Sequence, residues 1–189
     1  MLVGSGSSVT EELYALVWAL LETEGCPIVL DADAINAIAD KGGEGRAKLR
    51  AARRKVILTP HPLEFARLYG IRVAEVQQRR IELALAFARD YNCTLVLKGA
   101  GTVVTDGDRV YINSTGSSAL SKAGSGDVLA GFVASLIAAR TAPLYAAALA
   151  VYYHGVAADT LRDELSVFGV TPSDLPREIA RQIAKTMKE

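Results

Sequence analysis

Apolar residues follow two alternating spacings along the chain. Leu13, Leu16, Val17, Leu20 and Leu21 recur at the helical interval behind Thr10-Glu11-Glu12, a capping hydroxyl and two acids that suit a helix N-terminus. The spacing predicts a helix over 10–24, stopped by Gly25-Cys26-Pro27. Ile28-Val29-Leu30 is then an unbroken apolar run ending in Asp31-Ala32-Asp33, as a buried parallel strand does, and a short helix from Ala34 to Asp40 is expected next. Beyond Lys41-Gly42-Gly43, the basic run from Arg46 to Lys55 reads as a solvated helix face. Val56-Ile57-Leu58 is a second buried strand, and the prolines of Thr59-Pro60-His61-Pro62 delay helix until about Glu64. A helix from Val73 to Tyr91 carries Ile81, Ala84, Leu85 and Ala88 on one face, and Thr94-Leu95-Val96-Leu97 gives a third strand ending at Lys98. A hairpin follows, Thr102 to Thr105 with Val110 to Asn113, turning through Asp106-Gly107-Asp108. The remainder predicts helices over 126–139, 143–162 and 174–187, the last capped by Ser173 or Asp174 with Pro176 in its first turn.

Strands alternating with helices of this length imply an α/β fold, a mostly parallel sheet covered on both faces with ligands at the strands' carboxyl ends. Asp31 and Asp33, Thr59 and His61, and Lys98 each follow an apolar strand, so the three clusters are expected on one sheet edge. The length of 189 residues, half of them apolar, is that of one domain with a continuous core. With 21 basic and 21 acidic side chains there is no net field to draw the chain to nucleic acid or anionic lipid, so an anionic ligand must be held locally. Cys26 and Cys93 belong to no metal-spaced cluster and read as buried small hydrophobes in a reducing compartment. No apolar run approaches the roughly 20 residues of a membrane span, and a cytoplasmic protein is expected.

The chemistry centres on Gly124-Ser125-Gly126-Asp127, where small residues lead into an apolar helix. Free amides at such a helix start face the positive end of its dipole, and glycines let a phosphate approach. Asp127 in the first turn is placed to accept a proton from a hydroxyl that attacks the terminal phosphate. The same spacing also fits a plain turn in which Asp127 only offsets the dipole. His154, inside an apolar helix beside Tyr152 and Tyr153, reads as a packed or interface residue. Asp31 and Asp33 could hold magnesium or cap the helix beginning at Ala34, and capping is favoured.

Seven segments in order resemble the C-terminal catalytic part of the NAD(P)H-hydrate dehydratases: Leu30-Asp31-Ala32-Asp33-Ala34, Thr59-Pro60-His61-Pro62-x-Glu64, Leu97-Lys98-Gly99-Ala100-Gly101-Thr102, Asn113-Ser114-Thr115-Gly116, Ala123 to Gly131, Tyr153-His154-Gly155-Val156-Ala157 and Ser173-Asp174-Leu175-Pro176. GxGD alone indicates only the ribokinase-like superfamily, whereas TPHPxE together with KGxGT is far more specific. The resemblance implies a ribokinase-like three-layer α/β/α fold over 1–189 and nucleotide-dependent dehydration of hydrated NADH or NADPH (NADHX, NADPHX). It implies Asp127 as catalytic base and substrate contact, with Gly6 and His61 also at the substrate. The nucleotide would be bound by Lys98, Gly99, Ala100, Gly101, Thr102, Gly124, Ser125 and Gly126. ADP or ATP is the implied co-substrate, with Mg2+ carried by phosphates and water rather than by protein ligands. A homotetramer, with the apolar Ala146 to Ala158 helix at a contact, and an epimerase domain, fused or separate, are the implied partners. Kinase action on a small alcohol, or nucleotide binding without catalysis, would use the same motifs.

Three departures from the family's pattern stand out. The chain begins within the strand before the family's GPGLG segment, so the opening strands are expected to be absent. That segment reads Gly4-Ser5-Gly6-Ser7-Ser8, Lys122-Ala123 stands where small Thr-Gly is usual, and Leu63 where glycine is usual.

Overall fold

Four short parallel strands stand side by side in chain order: β1 (Leu2–Val3), β2 (Ile28–Leu30), β3 (Val56–Leu58) and β4 (Thr94–Leu97). The antiparallel hairpin β5 (Val103–Thr105) and β6 (Val110–Ile112) extends the sheet beyond β4. The computed structural model describes residues 1–188. Alternation along each strand sorts the core into two layers. Ile28, Leu30, Val56, Leu58, Leu95 and Leu97 point to one face, and Val29, Ile57, Val96 and Val104 to the other.

The first face is covered by α1 (Glu11–Glu22), α2 (Asp33–Asp40), α3 (Gly42–Arg50), α4 (Pro62–Tyr69), α5 (Val73–Gln78) and α6 (Arg80–Asp90). Right-handed crossovers between parallel strands laid down in one direction keep every connecting helix on the same face. The other face is therefore left for the chain after the hairpin, and α7 (Ser125–Ala138) and α8 (Pro143–Gly169) fill it. Helix α9 (Leu175–Thr186) packs on α8 through a third cluster around Ala157, Leu161, Leu175 and Ile179.

Parallel register aligns the polar strand ends. Asp31 N–H donates to Val3 O at 3.1 Å, Thr59 N–H to Leu30 O at 3.2 Å and Lys98 N–H to Pro60 O at 2.9 Å, so the three expected clusters do share one edge.

Several local expectations need correction. The helix expected over Val73–Tyr91 is two helices, because Arg79 leaves helical geometry (φ −129°, ψ 36°) and turns Arg80 toward the end of β4. Helix α4 starts at Pro62 rather than Glu64, since proline is tolerated at a first helical position whose N–H has no partner to lose. Helix α8 runs past 162 and is interrupted at Ser166 (φ 62°). Asp174 does not cap α9 with its side chain; its carboxylate accepts from Thr171 N–H and Oγ1–H instead. Cys93 is buried and its thiol is pushed up to about 12 by desolvation, but Cys26, in the turn before β2, is exposed. Among the described residues no helix is long and apolar enough to cross a membrane.

Candidate active site

Two polar assemblies meet at the carboxyl edge of the sheet. The first is a network of charges across the ends of β2, β3 and β4. Asp31 is buried, and its Oδ1 accepts from Thr59 Oγ1–H at 2.7 Å and from Lys98 Nζ at 3.0 Å, while Oδ2 accepts from Ser5 Oγ–H at 3.2 Å. Lys98 also lies 4.0 Å from Glu64. Glu64 in turn holds His61: its Oε2 accepts from His61 N–H at 2.7 Å and its Oε1 lies 3.3 Å from His61 Nε2. His61 Nδ1 accepts from the N–H groups of Leu63 and Glu64, completing a reciprocal cap at the start of α4. Thus the backbone cap, as well as the prolines, fixes the ring.

Neither aspartate caps α2, contrary to expectation. The N-cap position is Ala32, with no side-chain bond; Asp31 neutralises Lys98, and Asp33 Oδ2 accepts from Ser8 N–H at 2.8 Å. A buried carboxylate is retained only when paired, and the nearest cation lies in the next polar strand end but one. Asp31 and Asp33 thereby tie down the Gly4 to Ser8 loop that carries exposed Gly6.

The second assembly is a cavity of about 570 Å³ between the loop after β4, the segment after β6 and the start of α7. Its walls include Lys98, Gly99, Ala100, Gly101, Thr102, Ser125 and Gly126, seven of the eight residues expected at the nucleotide. Gly124 is not on the wall; it turns the chain into α7 as a left-handed N-cap (φ 95°), a conformation that favours glycine. A Cβ at Gly126 would lie 3.4 Å from Lys98 Nζ, so the ammonium stands directly over the first turn of α7. Helix dipole and ammonium therefore act on the same volume, the requirement for holding an oligophosphate. Lys122, where the family carries a small residue, points away and donates to the carbonyls of Phe168 and Val170.

The three residues expected at the substrate are not on the cavity wall. Asp127 is exposed in the first turn of α7, next to wall residue Gly126, and His61 and Gly6 are exposed on the neighbouring loops. His61 joins the cavity only through Glu64 and Lys98. Sequence reasoning did not assign the Asn113 to Ser118 wall, although its motif was visible, nor Arg80 and His154. Arg80 donates to the carbonyls of Leu97 at 3.0 Å and Lys98 at 3.2 Å, clamping the loop from behind. His154, expected to be a packed or interface residue, is buried and also lies on the cavity wall.

This geometry agrees with what the chain resembles. A family model described as NAD(P)H-hydrate dehydratase matches residues 1–181. The chain belongs to that family. It is 38% identical over 179 residues to an ADP-dependent (S)-NAD(P)H-hydrate dehydratase of Neisseria meningitidis, covering 94% of this chain and 58% of that protein. It is 43% identical over 158 residues to a bifunctional NAD(P)H-hydrate repair enzyme of Moorella thermoacetica, covering 83% of this chain and 29% of that one. The ADP/ATP-dependent NAD(P)H-hydrate dehydratase of Bacillus subtilis, co-crystallised with ATP and Mg2+, superposes with a TM-score of 0.79 at 33% identity, over 95% of this chain and 63% of that chain. A ribokinase-like superfamily protein of Enterococcus faecalis shares the fold at 22% identity and a TM-score of 0.79. The three-layer architecture is thus ribokinase-like, and the chain spans less than two thirds of the length of these relatives.

Proposed function

We propose that this NAD(P)H-hydrate dehydratase family member uses ADP or ATP to dehydrate NADHX and NADPHX to NADH and NADPH. The observation that carries the reading is the meeting of Lys98 and the first turn of α7 on one cavity, with Asp127 one residue beyond the wall. The nucleotide phosphates lie between Lys98 and the Ser125 and Gly126 amides, held by the Lys98 to Thr102 loop that Arg80 clamps. The hydrated nicotinamide sits outside, against Asp127, His61 and the Gly6 loop.

Asp127 takes the proton of the C6 hydroxyl as its oxygen attacks the terminal phosphorus, and the bond from phosphorus to the bridging oxygen breaks, releasing AMP from ADP or ADP from ATP. The amides at the start of α7 neutralise charge on the transferring group. The ring nitrogen's lone pair then expels phosphate from C6, and loss of the C5 proton restores the double bond. The sum is loss of water, coupled to cleavage of one phosphoanhydride.

Among the described residues no group of three His, Cys, Asp or Glu side chains is placed to hold a metal, and Asp31 is paired with Lys98. A magnesium ion would come with the nucleotide, keeping phosphate oxygens and water as ligands. Copies of the chain associate as a tetramer, but not through the buried alanines of α8. Ala146, Ala147, Ala150, Ala157 and Ala158 are buried within the chain, leaving Tyr145, Leu149 and Tyr152 exposed for that contact. An epimerase domain, fused or separate, would supply the accepted epimer.

The test is incubation of NADHX with ADP or ATP, following return of the reduced-nicotinamide absorbance and release of phosphate. Phosphorylation of a small alcohol without recovery of NADH would reject the reading.

A further inference from the structure

Arg79 and Arg80 stand side by side at the break between α5 and α6 and are used differently. Arg79 is an ordinary surface arginine, paired with Glu75 and Glu82. Arg80 makes no ion pair among the described residues. Its half-buried guanidinium donates instead to Gln77 Oε1 at 3.2 Å, Leu97 O at 3.0 Å and Lys98 O at 3.2 Å. Burial works against its charge, and no carboxylate offsets that cost. What it holds is the start of the Lys98 to Thr102 loop.

The peptide planes show what the hold does. A trans peptide is planar, so its C=O and N–H point in opposite directions. In the plane joining Leu97 to Lys98 both ends are anchored: the carbonyl accepts from Arg80, and the N–H donates to Pro60 O at 2.9 Å on the far side. In the next plane Arg80 holds the Lys98 carbonyl, so the Gly99 N–H points away from the guanidinium. Gly99 is exposed on the wall of the 570 Å³ cavity, whereas Arg80 borders a separate hollow of about 440 Å³ behind the loop. Ala100 and Gly101 line both, which makes the loop a partition with Arg80 at its back. The fit at Gly99 is close. Its φ of 137° favours glycine, and a Cβ there would lie 3.2 Å from both terminal nitrogens of Arg80.

Resting on the nucleotide reading above, we propose that Arg80 is a positioning residue for the nucleotide. By holding the carbonyls of Leu97 and Lys98 it turns the Gly99 N–H into the cavity, where that amide donates to a phosphate oxygen beside Lys98 Nζ and the first turn of α7. The break at Arg79 is then the feature of the chain that brings the clamp to the loop.

The test compares the wild type with Arg80→Met and Arg80→Lys. It measures ADP and ATP dissociation constants by calorimetry, nucleotide and NADHX KM in turnover, and the Gly99 amide proton by NMR. Arg80→Met weakens both nucleotides by about tenfold, the low end of what a hydrogen bond to a charged group is worth. Arg80→Lys, whose ammonium can still reach a carbonyl, recovers part of that loss. Saturating ADP moves the Gly99 amide proton downfield in the wild type, and much less in Arg80→Met. The KM for nucleotide rises while that for NADHX stays, a split that a general loss of stability does not produce. Wild-type affinity or an undiminished Gly99 shift in Arg80→Met, or a Gly99 amide that ADP leaves unmoved in the wild type, overturns the proposal. If Arg80→Met does not fold, Arg80→Lys decides alone: weaker binding with a smaller Gly99 shift supports the proposal, and wild-type behaviour overturns it. A wild type that binds neither ADP nor ATP removes the proposed function as well, whereas a wild type that binds and an insensitive Arg80→Met remove the role of Arg80 alone.

Discussion

The two assemblies at the sheet edge differ in how their polar groups are satisfied. Asp31, Thr59, Lys98, Glu64 and His61 bond to one another within the protein, whereas Ser125 and His154 in the cavity floor have unpaired atoms. The first is a finished scaffold whose groups are spent on each other. The second lines an open cavity, with two buried side-chain atoms that no protein group satisfies. Such an arrangement separates holding from the proposed reaction: the network keeps loops and ammonium in place, and Asp127, the carboxylate proposed as base, has no hydrogen-bond or ion-pair partner among the described residues.

The largest break in that comparison comes from the group that belongs to neither assembly. Asp127→Asn keeps the shape of the first turn of α7 but cannot accept a proton, so turnover of NADHX falls by about 10²- to 10⁴-fold. ADP and ATP binding stays within about twofold, because the amides and Lys98 are untouched. Rates and dissociation constants measured on the same preparation separate the two. Lys98→Met next attacks the scaffold. Asp31 is 1% exposed, and removing its cation leaves a buried charge unpaired, at about 3–5 kcal/mol of stability by urea unfolding. A Lys98→Met/Asp31→Asn double variant recovers much of that stability but not nucleotide affinity, which assigns Lys98 its two jobs separately.

Much of this edge is legible in the chain because parallel strands read as short apolar runs and their polar ends fall together whatever the helices between them do. The positions of Asp31, Thr59, His61 and Lys98 follow from that alone. Their pairing does not: Lys98 and Asp31 are 67 residues apart, and nothing local distinguishes a carboxylate that caps a helix from one that neutralises a distant lysine. The break at Arg79 was hidden for a related reason. Its sequence is helical throughout, and the interruption serves a contact between Arg80 and the end of β4. His154 reads as packed or at an interface because it is buried in an apolar helix; its place on the cavity wall depends on where that helix docks.

Acid sharpens the contrast because the cavity histidine resists the charge that it accepts in the unfolded chain. Desolvation lowers His154 from its ordinary 6.5 to about 4 in the folded protein. Between these values the unfolded chain binds a proton that the folded protein refuses, so stability is full above about pH 6.5 and falls as pH drops toward 4. The loss is on the order of 3 kcal/mol. Urea midpoints across this window show the slope in the wild type, and H154L shows a shallower one, with the carboxylates accounting for what remains.

The smallest effect asks whether His61 is scaffold alone or also touches substrate. Its Nδ1 accepts from Leu63 and Glu64 N–H groups, so His61→Ala removes the cap of α4 and costs about 1 kcal/mol. Asparagine is a strong N-cap, and His61→Asn therefore restores most of that stability without restoring an imidazole Nε2. If His61 only caps, His61→Asn brings back both the melting temperature and the KM for NADHX. A substrate contact predicts that the melting temperature returns while KM for NADHX stays raised and nucleotide KM is unchanged. That second result is the one expected, because the ring is 46% exposed at the edge of the site, while its cap and the Glu64 carboxylate facing Nε2 hold it in one orientation.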